Sequence, residues 1–544
     1  MNTRQLQTDK NQKLYHALLG ILLVCALAMM MLLSYWACKY SYYGAVDGRT
    51  RGVLVGDKTW AHIAVFLAAS LCTMGIDKVL MKKDKSQQEK ICLCTLIVTS
   101  VIAFILGVFY VCKNPYYPVG DQINTTAFAA YCRDGNFSML SIGGYVGMYQ
   151  QQKGLAILYE ILFTLFGDFN YRPAKILHVV WWILTILAGY GFLKLNTDRP
   201  VFRMLYCVMM LGCFPLLFYL PYIYGDVLSI SFGIILFYGV AAYEHSGQKR
   251  YIALASFAAG LAVLARKNTW IVLVAVAVYV LLVSLRKKKV RYLMAGTAIL
   301  LTAALSVKAV DVIYEVRSGY PSGVGVPSIL WVAMGLQETE GRAGVYNRYQ
   351  QATFTDYDCQ QELAAQQGKE YIRERLEEFS QDPGMAFDFF KNKLEGQWIE
   401  PMYAALESTE SFEEGAELSP VLESLYYGEL GRTIWKLTNY YQSILYLAGL
   451  MALVMLGILW WKKKEVPISL WLPWIAVFGG FLFSILWEAK SRYVFPYCVF
   501  MILYAPEGLY QTGLLLCKLP KLRKFKKSGH TQDKGEEAPL RETA

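Results

Sequence analysis

Apolar residues in this chain are gathered into runs of about 15 to 25, and hydrocarbon admits a run of that length only as a helix that satisfies its own backbone. Runs able to cross about 30 Å at 1.5 Å per residue occur near 15–36, 60–81, 91–112, 174–195, 204–220, 227–243, 251–265, 269–285, 292–310, 436–460, 466–487 and 494–515. A soluble chain carries about 25% charged residues; this one has 17%, with 55% hydrophobic. A water-soluble enzyme, a disordered protein and a disulfide scaffold are thereby excluded. The formal net charge of +11 then points to the inner face of a membrane, not to nucleic acid.

A thirteenth stretch, Gly154 to Gly167, has 14 residues with Glu160 at its middle, which suits a helix lying in the interface. Charge supports that choice. Short basic segments lie in the N-terminal leader (Arg4, Lys10, Lys13), at 82–85, 194–203, 249–250, 286–289 and 462–464, and in the tail from Lys518 to Lys527. With twelve spans and the 154–167 helix outside, all of them fall on the cytoplasmic side. Counting that helix as a span would export the last five. The expectation is an all-α polytopic membrane protein of about twelve crossings in the plasma membrane, both termini cytoplasmic. The first run is too long for a signal-peptide core and reads as a retained span.

The chain divides into a tail and two-helix hairpin (1–90), a membrane core (91–310) with an outer loop at 113–173, an outer segment (311–435), three further spans (436–515) and a basic tail (516–544). The outer segment holds 22 Asp and Glu against 9 Lys and Arg, a net of −13, which leaves +24 for the remainder. Apolar residues at helical spacing in Lys369 to Ser380 and Gly384 to Trp398, punctuated by Asp382-Pro383-Gly384, predict a small helical domain. Cysteines supply no disulfide framework. Cys112 and Cys132 are the one pair placed to approach each other outside the membrane.

Four polar groups sit on the outer side where solubility does not require them. In Tyr116-Tyr117-Pro118-Val119-Gly120-Asp121-Gln122, Asp121 either caps the helix that follows or, desolvated at the membrane surface, serves as a general base; the two roles are compatible. Pro221-Tyr222-Ile223-Tyr224-Gly225-Asp226 is a tight turn with a capping Asp or a second acidic site. Arg266-Lys267-Asn268 breaks the positive-inside trend, and a basic pair on that side asks for an anion such as phosphate. Glu488-Ala489-Lys490-Ser491-Arg492-Tyr493 offers cations, with Glu488 and Arg492 spaced for a helical ion pair. Their conjunction on one leaflet describes a site that holds a phosphate-bearing lipid and removes a proton.

This arrangement resembles the GT-C class of integral-membrane glycosyltransferases, near the protein mannosyltransferase-like (family 39-like) enzymes of Gram-positive bacteria. Asp121 matches the acidic residue of their first outer loop, Asp226 that of the next outer turn, and the 154–167 helix their interface helices. The run Tyr145 to Leu158 (YVGMYQQQKGLAIL), with Tyr145 and Gln151, resembles bacterial members, as do stretches of the outer segment and the E-x-K-x-R-Y run. The resemblance covers roughly 91–515. It implies a GT-C-like bundle with outer interface helices and a small extracytoplasmic domain. The implied reaction is inverting transfer of a sugar from a polyprenyl-phosphate donor to an acceptor hydroxyl on a protein, a cell-wall polymer or a lipid. Asp121 would be the base; Asp226, with Tyr222 or Tyr224, would orient hydroxyls; Arg266, Lys267, Lys490 and Arg492 would hold the donor phosphate; Tyr145, Gln151 and Glu488 would line the substrate site. Many relatives have paired acids where Asp121 is followed by Gln122, so a divalent metal is compatible with the motif but not required by it, and no other cofactor is implied. The rival readings are a twelve-span transporter or lipid-linked sugar flippase, and a surface-polysaccharide polymerase or ligase. Against a transporter stand the 9 + 3 division of spans and the lack of two similar halves.

Overall fold

A computed structural model describes residues 3–44, 52–323 and 325–529; the end of the expected basic tail, 530–544, lies outside them. The described residues are mostly helical, with two small antiparallel hairpins among them, Tyr40–Tyr43 with Val53–Gly56 and Glu338–Thr339 with Arg342–Ala343. Among the described residues, nine helices are long and apolar enough to cross a membrane: Asn11–Lys39, Thr59–Leu80, Lys85–Lys113, Arg172–Asn196, Asp226–Ser246, Lys267–Lys287, Val290–Ser318, Glu429–Trp461 and Ile468–Leu486. The protein is a helical polytopic membrane protein.

The other three expected spans are not single long helices. The 204–220 run breaks after Pro200–Leu211 at Gly212-Cys213 and resumes as the short helix Phe214–Phe218. Pro215 has no N–H to continue the ladder. The 251–265 run is one helix, Lys249–Ala265, whose 17 residues reach only about 26 Å. The 494–515 run breaks between Ser491–Met501 and Ala505–Gly529.

Contacts sort the connections into two ends of the bundle. At one end Trp460 Nε1 donates to His16 O (3.2 Å), Arg286 to Val466 O (2.8 Å) and Arg203 to both oxygens of Glu89 (2.6 and 2.9 Å). Glu244, buried there, accepts from Lys287 (2.8 Å), Tyr279 (2.9 Å) and the Ser469 N–H (2.9 Å), the full set of partners that a buried carboxylate needs. At the other end Tyr42 N donates to Ile399 O (3.1 Å), Tyr117 N to Ser411 O (2.9 Å) and Ala489 N to Gly344 O (2.7 Å). The basic segments at 82–85, 194–203, 286–289 and 462–464 adjoin the first group of contacts; Asp121, Asp226, Arg266 and Glu488 belong to the second.

The 154–167 stretch is the helix Lys153–Phe166, with Tyr159, Glu160 and Phe163 turned inward and Ile161, Leu165 and Phe166 exposed. Glu160 is matched by Arg317 (2.6 Å) and Tyr314 (3.1 Å). His178 is a satisfied interior group, bonded to Leu220 O at 2.9 Å. In the outer segment, Gln361–Gln381 and Pro383–Trp398 are helices, and Asp382 between them caps the second by accepting from Met385 N (2.9 Å). Small clusters around Leu330 and Trp331, and around Phe379 and Phe389, form its core. All twelve cysteines are free thiols; Cys112 is exposed and Cys132 buried, and the two form no disulfide.

The last helix crosses Glu429–Trp461 where Gly508 leaves no room: a Cβ there would lie 1.8 Å from Ala448 O. Overpacking of a close helix crossing costs about 1–3 kcal/mol. Gly508→Val should therefore lower the melting temperature of the detergent-solubilised protein measurably, whereas Gly75→Ala, where a Cβ meets nothing within 4 Å, should leave it unchanged.

Candidate functional site

Gly120 has φ +58 and ψ −125, a conformation closed to L-residues with a Cβ. That turn makes Asp121 the first residue of the helix Asp121–Arg133, which we call α1. The carboxylate does not cap the helix; no side-chain cap bond is made there. It is exposed instead, and accepts from the Tyr145 hydroxyl at 2.9 Å. Burial, Tyr224 and Asp121 hold the Tyr145 phenol well above its usual range, so it remains a donor. Gln122 turns the other way, buried and bonded to Tyr116 OH (2.7 Å). Among the described residues no three His, Cys, Asp or Glu side chains gather to hold a metal ion.

Asp226 starts the helix Asp226–Ser246 (α2), and Arg266 ends the helix Lys249–Ala265 (α3). The preceding turn lies directly on the end of α3: a Cβ on Gly225 would meet Ala265 O at 2.0 Å. This approach brings Arg266 onto Asp226 in a buried ion pair. Asp226 thus stands behind Arg266, away from open solvent, with its second oxygen, Oδ2, unpartnered. The Asp226–Arg266 pair and Arg492 line a cleft of about 20 Å³, room for one water.

The E-A-K-S-R-Y run departs from the helical spacing expected of it. Its first half is extended (Lys490 φ −146, ψ 131), and the helix Ser491–Met501 (α4) begins only afterwards. Residues two apart share a face in extended chain; Glu488 therefore pairs with Lys490 (2.9 Å), not with Arg492. Burial works to lower Lys490, but Glu488 and Tyr493 outweigh it and hold its pKa above the ordinary value. Arg492 lies over Tyr222, Tyr224 and Tyr493 at 5.2, 5.4 and 5.6 Å from the ring centroids. Arg266 lies over Tyr224 and Tyr493 at 5.3 and 5.4 Å, and Lys490 over Tyr346 at 5.2 Å. Aromatic faces attract these cations and fix their orientation.

Tyr222, Tyr224, Asp226, Arg266 and Arg492 are linked through these contacts, and Glu488 and Lys490 join them at Tyr493, whose hydroxyl donates to Glu488 (3.4 Å) and whose ring lies 5.9 Å from the Lys490 ammonium. Asp121 and Tyr145 form a separate pair, near enough for the Asp121 charge to act on Tyr224 and Lys490. Lys267 and Gln151 belong to neither group. Both line a different cavity of about 320 Å³, so the four expected phosphate-binding cations do not converge. The neighbour Gln152, absent from the sequence reading, donates to Tyr224 OH at 2.5 Å.

Lys393 is another residue that sequence reasoning passed over. Buried on the helix Pro383–Trp398 (α5), it donates to the carbonyls of Gly335 and Ile485. Gln397 donates to Ser484 O (3.0 Å) and Trp398 Nε1 to Ser484 Oγ (3.0 Å). These three side chains clasp the end of Ile468–Leu486, two residues before Glu488. Their only sequence signal is the K-x-x-x-Q-W spacing, which puts polar groups on the buried face of an apolar helix. Glu400, just beyond, accepts from Met402 N (2.8 Å) and Ala404 N (2.6 Å); burial, with Glu407 beside it, pushes it up to about 8.

Fold and site together define a helical polytopic membrane protein with a cation-rich, tyrosine-lined cluster at one end of its bundle, beside an exposed carboxylate. In comparisons with known proteins, no family model, no curated sequence and no solved structure matches the chain.

Two outcomes follow from this geometry. Removing one partner of a buried pair costs roughly 3–5 kcal/mol, so Arg266→Ala should melt far below wild type, and the double variant Asp226→Asn/Arg266→Met should recover part of that loss. Burial pushes Lys393 from 10.5 down to about 7, so from about pH 7 to about 10 the unfolded chain binds a proton that the folded chain lacks. This contribution rises with pH across that window, and the melting-temperature advantage of wild type over Lys393→Met should grow from pH 7 to pH 9.

Proposed function

We propose that this protein is a membrane glycosyltransferase that moves a sugar, with inversion, from a polyprenyl-phosphate donor to an acceptor hydroxyl. The reading has twelve crossings, the two broken runs and the short helix Lys249–Ala265 included. Both termini are cytoplasmic in the plasma membrane, and the Asp121 end faces outward. Support comes from the loop contacts, which join basic segments to one another at the opposite end, as the positive-inside rule requires.

One observation carries the chemistry: an exposed carboxylate, Asp121, is held by the Tyr145 hydroxyl beside cations that exceed their paired acids. Arg266, Lys490 and Arg492 stand against Asp226 and Glu488, an excess of one positive charge before Asp121 is counted. A donor phosphate suits that excess. As the acceptor oxygen attacks the anomeric carbon, its proton passes to Asp121, and the bond from that carbon to the phosphate oxygen breaks with its electron pair left on the phosphate. Arg492 and Lys490 stabilise the charge that grows there. Asp226 acts through Arg266, fixing the guanidinium under Tyr224. Tyr222 and Tyr224 offer flat faces to sugar rings, and Glu488 keeps Lys490 in place. The acceptor, a hydroxyl of a protein, a cell-wall polymer or a lipid, presents that proton to Asp121.

The test is transfer by purified protein in proteoliposomes, offered a panel of polyprenyl-phosphate-sugars. Asp121→Asn should reduce turnover at least a hundredfold, the order contributed by a general base, and remain folded and inserted. Tyr145→Phe should reduce it less. Transfer by Asp121→Asn at the wild-type rate removes Asp121 from the mechanism, and transport of an intact solute without sugar transfer favours a transporter.

A further inference from the structure

We propose that the cavity lined by Lys267 is a binding site for the phosphate headgroup of a membrane amphiphile, separate from the Asp121 cluster. This goes beyond sugar transfer and does not depend on it. The cavity, about 320 Å³, falls within the range of ligand pockets, about 300–1,000 Å³. Its lining shares no residue with the cleft at Arg266 and Arg492.

The lining is amphiphilic. Val263, Leu264, Trp270, Val307 and Val310 form a hydrocarbon wall, while Lys267, Ser328 and Gln151 present polar groups. Three charged residues line it: Lys153, Lys267 and Asp311. Lys153 is neutralised by Asp311 at 2.5 Å and bonded to Ser322 Oγ at 2.8 Å. Lys267 donates to Ser328 Oγ at 3.3 Å and has no carboxylate partner among the described residues. A net single positive charge therefore faces the space, and a phosphate is its natural complement.

Helix lengths put this charge at headgroup level. Lys267–Lys287 has 21 residues, about 31 Å, so Lys267 marks one boundary of a core about 30 Å thick. Val290–Ser318 has 29 residues; about 20 of them cross the core, which puts the same boundary near Val310. The two helices run in opposite directions and meet the boundary at the same cavity. Around it Val274 and Leu305 are 62% and 56% exposed, as expected of side chains facing acyl chains. A headgroup held by Lys267 thus has its chain directed along an apolar wall into the bilayer.

The phosphate could belong to a prenyl carrier or to a bulk acidic phospholipid, and the experiment separates them. Full-length protein in neutral detergent is titrated with farnesyl phosphate, farnesol, phosphatidylglycerol and phosphatidylcholine, and bound lipid is counted by native mass spectrometry. Farnesyl phosphate should be retained at least tenfold better than farnesol, since a hydrogen bond to a charged group contributes about 1.5–3 kcal/mol. Lys267→Ala, which removes the charge, and Val310→Trp, which fills the space, should each lower the count of bound farnesyl phosphate by one, leaving any molecule held at the Arg266, Lys490 and Arg492 cluster in place. Selective retention of farnesyl phosphate alone assigns the site to a prenyl carrier; equal selectivity for phosphatidylglycerol over phosphatidylcholine assigns it to anionic lipids in general. Equal retention of farnesyl phosphate and farnesol, or a count of bound farnesyl phosphate that is unchanged in Lys267→Ala, overturns the proposal. Sugar transfer is not read in this measurement, so its failure leaves the function of Asp121 to be judged by its own test.

Discussion

The buried pair between Asp226 and Arg266 ties the start of one membrane helix to the end of the next, and the geometry of the cluster hangs on it. Asp226 cannot stay ionised in that position without a cation, and Arg266 cannot lie under Tyr224 and Tyr493 unless something holds its guanidinium. The glycine before Asp226 makes the approach sterically feasible. From there the order spreads outward: Tyr224 is braced by Gln152 from one side and by two guanidinium groups from the other, and Arg492 takes its direction from the rings around it. The charges of the site are held between aromatic faces and one another.

A second constraint comes from the outer segment. Its helix Pro383–Trp398 sends Lys393, Gln397 and Trp398 onto the terminal carbonyls of Ile468–Leu486, the groups that every helix leaves without partners. The extended residues that follow carry Glu488 and Lys490. The outer segment therefore fixes where the membrane part delivers its cations, and Ala489 N bonding to Gly344 O adds a backbone link in the same place. This explains why the acidic segment bears on the site at all.

Much of the fold was legible because hydrocarbon is a harsh solvent: long apolar runs have one outcome, and nine of the twelve emerged as long helices. The other three are broken or short, in part for reasons that a hydropathy average hides, such as Gly212 and Pro215 within an otherwise greasy stretch. At the site, residue types were more legible than directions. Arg266 and Lys267 are neighbours, yet Arg266 is extended (φ −151, ψ 128) and Lys267 opens a helical turn, so they face different spaces. Glu488 was expected to meet Arg492 at helical spacing, but the helix starts two residues too late. Gln151 was singled out where Gln152 makes the contact, a one-residue error at the join of two short helical turns. Lys393 and Glu400 left almost no trace, since burial of a charged residue depends on partners distant in sequence.

The helices that flank the outer segment, Val290–Ser318 and Glu429–Trp461, have 29 and 33 residues, about 43 and 50 Å of continuous helix. Both exceed the hydrocarbon they have to cross, so tilt or protrusion takes up the surplus. The segment between them is thus carried on two stiff stalks rather than on flexible linkers. A load applied to that segment would be borne along helical backbone and would reach the bundle as a shift of whole helices, not dissipate in loops.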